Sequence, residues 1–131
     1  MKTDIDIKDD IYESLMGTPL DQEVSGNLCK QGRETDLEDI CISVVSSQNA
    51  EMQEAVVNVN IYVADIRRGE SFIIDDVRCR TIASVASETL LRGHGPTWRF
   101  ELDSQHIEAV EGRNEHCINN RLMYHQFNAN Y

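Results

Sequence analysis

Four cysteines (Cys29, Cys41, Cys79, Cys117) and four histidines (His94, His106, His116, His125) are the residues with which this chain could bind a metal or attack a substrate. Structural zinc sites draw their ligands from Cys-x-x-Cys pairs or from histidines about one helical turn apart. Neither spacing occurs in the sequence. His116 and Cys117 are neighbours in a strand-like segment, so their side chains point to opposite faces. The spacing therefore predicts no metal site and no cofactor. A His/Cys nucleophile pair can be assembled from distant positions and stays open, with nothing local to support it. Cys41 and Cys79 lie in apolar surroundings, where a thiol behaves as a small inert hydrophobe. The start Met1-Lys2-Thr3-Asp4-Ile5-Asp6 lacks the apolar core of a secretory signal, so a reducing compartment and four free thiols are expected.

Asp9-Asp10, Glu38-Asp39 and Asp75-Asp76 are adjacent pairs; on a helix such neighbours diverge rather than converge on one substrate, and they read as solvated faces. Asp4-x-Asp6 opens like a calcium loop, but the glycine and closing glutamate of that loop do not follow. Arg67-Arg68 and Arg78-Cys79-Arg80 are the concentrated positive charges, suited to the carboxylates of a partner protein. No catalytic residue is assigned.

The elements that must carry these residues follow from periodicity. Ile7, Ile11 and Leu15 recur at steps of four, predicting a short helix over Asp6 to Met16 that Gly17 and Pro19 end. Val24 to Arg33 reads as a short extended segment and 34–39 as an acidic loop. Ile40, Ile42 and Val44 then alternate as a strand, with a turn at Ser46 to Asn49. Val57-Asn58-Val59-Asn60-Ile61-Tyr62-Val63 has the strict period of two of a strand with one buried and one wet face. Arg67-Arg68-Gly69 breaks the pattern. Phe72 to Leu91 reads as the longest helix, its apolar stripe formed by Ile74, Val77, Thr81 and Val85, which would face Val59 and Ile61. Gly93-His94-Gly95-Pro96 stops it, and three extended segments follow: Trp98-Phe100-Leu102, Ile107 to Glu111 and, past a turn at Gly112-Arg113-Asn114, Cys117 to Phe127. Tyr124 and Phe127 are expected to leave surface for subunit contacts.

A chain of 131 residues, 40% hydrophobic, is the length of one ordinary domain, and a single domain over 1–131 is expected. Its 12 Lys and Arg against 23 Asp and Glu give a formal charge of -11, which repels phosphate backbones and anionic lipid alike. No apolar run is long enough to span a bilayer. Direct nucleic-acid binding and membrane insertion are therefore not expected.

The order of elements, together with Gly32-Arg33, Glu38-Asp39-Ile40 and Val57 to Val63, resembles the small tail-completion and head-to-tail joining proteins of tailed phages and prophages. The resemblance spans roughly Asp10 to Phe127. It implies the tail-terminator fold: α+β, a mostly antiparallel twisted sheet with one long helix packed on a face and a short N-terminal helix. It also implies a structural morphogenesis protein, not an enzyme, that forms a homo-oligomeric ring, binds tail-tube or connector proteins, and resides in the bacterial cytoplasm or the virion. An acidic ring would let DNA pass its lumen without adhering. A small intracellular protein-binding or adaptor domain is the alternative, and an enzyme ranks third because no nucleophile and base occur together.

Overall fold

The computed structural model of the chain describes residues 2–48 and 53–127. Its first helix, α1 (Asp4–Leu15), begins where a capping box forms. The Thr3 hydroxyl accepts from the Asp6 N–H, and the Asp6 carboxylate accepts from the Thr3 N–H at 2.9 Å. Ile7, Ile11 and Leu15 are its buried stripe, as the steps of four predict. Gly17, at φ +72°, closes it in the left-handed region that a glycine enters without penalty. Pro19 does not merely end α1, as expected from sequence, but opens a second helix, α2 (Pro19–Glu23), capped by Thr18. Proline suits a first helical position because its missing N–H would have no partner there anyway.

Among the described residues, eight strands follow the helices or lie between them: β1 (Leu28–Cys29), β2 (Ile40–Gln48), β3 (Gln53–Ala64), β4 (Ile66–Arg68), β5 (Ser71–Ile73), β6 (Arg92–His94), β7 (Trp98–Ala109) and β8 (Glu115–Gln126). Helix α3 (Asp76–Thr89) separates β5 from β6. Six strands form one sheet in the order β1-β2-β3-β8-β7-β6, while β4 and β5 pair only with each other. The pairing is antiparallel except between β1 and β2. The chain is thus α+β with a mostly antiparallel sheet. Of Val24 to Arg33 only Leu28–Cys29 is strand. Of the turn expected at Ser46 to Asn49, Ser46 to Gln48 instead continue β2, and Asn49 lies outside the described residues.

β3 obeys its alternation. Val57, Val59, Ile61 and Val63 are buried, and register places Ile40, Ile42 and Val44 of β2 and Ile118 and Leu122 of β8 on the same face. These side chains join Ile7, Ile11, Leu15, Leu20, Ile82, Ala86 and Leu90 in one core. The two extended segments expected around Trp98 and Ile107 are one strand. A register shift between Leu102 and Ser104 inserts an extra residue into β7. The insertion reverses the parity of the alternation, so Trp98, Phe100 and Leu102 share a face with Gln105 and Ile107. Read linearly, that reversal looks like a break.

The stripe assigned to the long helix is corrected. Phe72 and Ile73 belong to β5, and α3 begins at Asp76, with the Asp75 carboxylate accepting from the Arg78 N–H at 3.0 Å. The buried residues are Cys79, Ile82, Ala86 and the capping Leu90, spaced three, four and four, while Val77 is 75% exposed and Thr81 is exposed as well. The apolar residues of β5, read as helix, pulled the expected stripe about one residue out of phase. Val77 and Thr81 therefore do not face Val59 and Ile61, whereas Ile74 and Val85, the other two residues of the expected stripe, are half-buried against the core. Nor is there one dominant helix: α1 has 12 residues and α3 has 14. Ile82→Ala is expected to cost about 2–5 kcal/mol in denaturant unfolding, and Val77→Ala less than about 0.5 kcal/mol. The reverse order would reinstate the stripe through Val77.

Candidate functional site

The chemistry-bearing residues are spread across the fold. All four cysteines are free and buried. Burial, the largest influence in each case, pushes Cys29 and Cys117 up to about 12 and Cys79 up to about 11, and raises Cys41 as well. A thiol held that high is not the thiolate that attacks a substrate at neutral pH. Cys29 and Cys41 are partners across the parallel pair β1–β2, and Cys117 sits beside Tyr62 on the same side of the sheet. His116 is on the opposite face from Cys117 and pairs through Nδ1 with the Asp65 carboxylate at 2.6 Å. His125 lies between Glu54 and Glu101, while His106 is 3.7 Å from Glu108. Among the described residues, no three or more His, Cys, Asp or Glu side chains converge as a metal site would require.

The carboxylate pairs also separate. Asp10 accepts from the Tyr124 hydroxyl at 2.7 Å and from Lys2, and Asp75 caps α3. Asp39 is not on a solvated face; it is fully buried and accepts from the backbone N–H groups of Asn27, Glu34 and Thr35 and from the Thr35 hydroxyl. Burial pushes its carboxyl up, and these donors more than reverse that, leaving it at about 2. The carboxylate thereby folds the 30–39 loop over the sheet corner near Tyr62, where Arg33 stacks 4.4 Å from the Tyr62 ring and pairs with Glu115. Of the arginines expected to meet a partner, Arg78 is committed internally. It grips Glu38 through Nε and Nη2, both at 2.7 Å, and donates to the Glu23 carbonyl.

The surface that remains is built by β4, β5, α3 and β7. Strands β4 and β5 form a hairpin whose two-residue connection is Gly69-Glu70, with Gly69 at φ +64°. Glycine at the first of two connecting residues is the signature of a type II′ hairpin, and the flanking Ile66-Arg67-Arg68 and Ser71-Phe72-Ile73 could have revealed it in the sequence. Every residue of the two strands is exposed, including Ile66 (46%), Phe72 (46%) and Ile73 (39%). Antiparallel register puts Ile66 and Ile73 on one side and Arg67 and Phe72 on the other.

β7 offers a complementary feature. Its outer side is paired by β6 only across Arg99–Glu101, so from Asp103 to Ala109 no described strand covers that edge. Beside the edge, a groove of about 400 Å³ runs between α3 and β7, lined by Ile74, Cys79, Ala83, Ser87, Gln105 and Ile107. Gln105 holds the groove's wall in place. Its amide donates to the Ala83 carbonyl at 3.0 Å and to Asn120 Oδ1 at 2.7 Å, while the fully buried Asn120 donates to the Val59 carbonyl at 3.1 Å. Tyr124, in contrast, offers no contact surface, being fully buried and stacked on Trp98 at 5.9 Å. No described helix is long and apolar enough to cross a membrane. Compared with models of known protein families and with curated protein sequences, the chain gives no match.

Proposed function

We propose that this chain is a structural component that forms a homo-oligomeric ring in phage or prophage morphogenesis, acting in tail completion or head-to-tail joining and working through interfaces rather than chemistry. The observation that carries the reading is the pairing of an exposed apolar hairpin with a separate, uncovered sheet edge. Two different complementary patches on one chain favour head-to-tail association, which closes into rings when the rotation permits. A mostly antiparallel sheet with the core residues of its helices gathered on one face is the arrangement that the resemblance implies, and it supports the reading at the level of fold class alone. Buried, protonated thiols and dispersed histidines suit a scaffold better than a catalyst.

A second reading draws on the same edge: a small adaptor domain could receive an extended peptide from an unrelated partner as an added strand. Light scattering coupled to size-exclusion chromatography separates the two. The ring reading expects a discrete oligomer, formed alone or on mixing with tail-tube or connector proteins. A strict monomer under all those conditions would overturn the ring reading in favour of the adaptor.

A further inference from the structure

Resting on the ring-forming reading, we infer that the β4–β5 hairpin of one copy docks along the uncovered edge of β7 in the next copy, extending the six-stranded sheet across the subunit boundary. The backbone of β7 is set for this. The Val110 N–H donates inward to the Glu115 carbonyl at 3.0 Å, and antiparallel alternation then turns the N–H and C=O groups of Ile107 and Ala109 outward, away from β8. The side chain of Ile107 lines the groove beside α3, so a strand added here would lay its apolar side chains against Ile107, Ile74 and Ala83.

The hairpin fits as the occupant. Its strands have three residues each, too short for a two-stranded ribbon to be more than marginally stable in water by itself. It nonetheless holds Ile66, Phe72 and Ile73 in the open. The charges of the two surfaces are complementary. The hairpin, 66–73, has Arg67 and Arg68 against Glu70, in a chain of net charge -11. The receiving segment, 103–111, has Asp103, Glu108 and Glu111 with no lysine or arginine; beside it, Arg121 of β8 lies 3.7 Å from Asp103 and Arg80 lines the groove opposite, which leaves Glu108 and Glu111 as the acidic end of the edge. Opposite charges at the rim set register and orientation and favour this encounter over like-with-like contact. Because donor and acceptor surfaces differ, each copy uses both, and the contact propagates head to tail.

The test uses Phe72→Asp to disable the hairpin and Ala109→Pro to disable the edge. Proline at position 109 removes an outward N–H and leaves the β8 ladder intact, as edge positions allow. Circular dichroism and thermal unfolding establish that both variants fold. Light scattering should then show each variant alone as a monomer, and an equimolar mixture as a heterodimer and nothing larger, since one working hairpin and one working edge remain. A third variant, Arg67→Glu with Arg68→Glu, alters only exposed side chains. It should raise the concentration needed for assembly by roughly tenfold at low salt. If the wild type assembles and none of the variants changes that assembly, the contact assignment is wrong while the ring reading survives. A mixture that stays monomeric, or that rebuilds the full assembly, equally overturns the hairpin-to-edge contact. A wild type that never assembles, alone or with tail-tube or connector proteins, removes the ring reading itself.

Discussion

Asp39→Ala is expected to lower the unfolding free energy by about 3–5 kcal/mol, the range for removing one member of a buried charged network. The carboxylate is fully buried and is the acceptor for three backbone N–H groups, at 2.8 Å from Asn27, 2.9 Å from Glu34 and 2.7 Å from Thr35. Alanine leaves all three donors without a partner, each costing about 1–3 kcal/mol where water cannot enter. Asp39→Asn keeps the shape yet must aim an amide N–H₂ at donors, so it too should be destabilising. The same group gives a pH signature. Its folded value is depressed to about 2 from 3.8, so its stabilisation is complete above the unfolded value and disappears as pH falls through about 2. The depression is worth about 2 kcal/mol. Acid unfolding of the wild type should therefore steepen between about pH 4 and pH 2, and the Asn variant should lack that component. A variant as stable as the parent across this range would show that the 30–39 loop is held by something other than Asp39.

Ile61→Ala is expected to cost about 2–5 kcal/mol. Ile61 is fully buried in β3, three residues from its C-terminal end, opposite Ile40 on one side and Ile118 on the other, all three within the core. Removing its outer carbons opens a cavity that strands paired on both sides cannot close by shifting. Asn60→Ala, on the other face, loses the bond that its carbonyl accepts from the Asn119 amide at 2.7 Å, worth about 1 kcal/mol. Denaturant titration followed by the fluorescence of Trp98, the only tryptophan and itself buried against Phe100 and Tyr124, measures both. Equal stability of Ile61→Ala and the parent would mean that the register of β3 is wrong.

Local pattern by itself determined α1 through Ile7, Ile11 and Leu15, β3 through its four alternating apolar residues, and the α+β character of the chain. In those segments a single period runs unbroken and one face is uniformly buried, so linear order and three-dimensional environment carry the same information. Tertiary structure decided the rest, for identifiable reasons. The bulge between Leu102 and Ser104 reversed the parity of β7 and hid a 12-residue strand as two short ones. The hairpin lent Phe72 and Ile73 to an expected helix, because three apolar residues in a row fit either period until the pairing of Ile66 with Ile73 is known. Asp39 could not be told from a solvated acid, since the donors that pay its desolvation come from Asn27, Glu34 and Thr35, whose N–H groups converge only when the loop closes. The uncovered edge of β7 was likewise invisible in the sequence. An edge is defined by which strand fails to pair, and that depends on β6 being only three residues long and on β8 taking the other side.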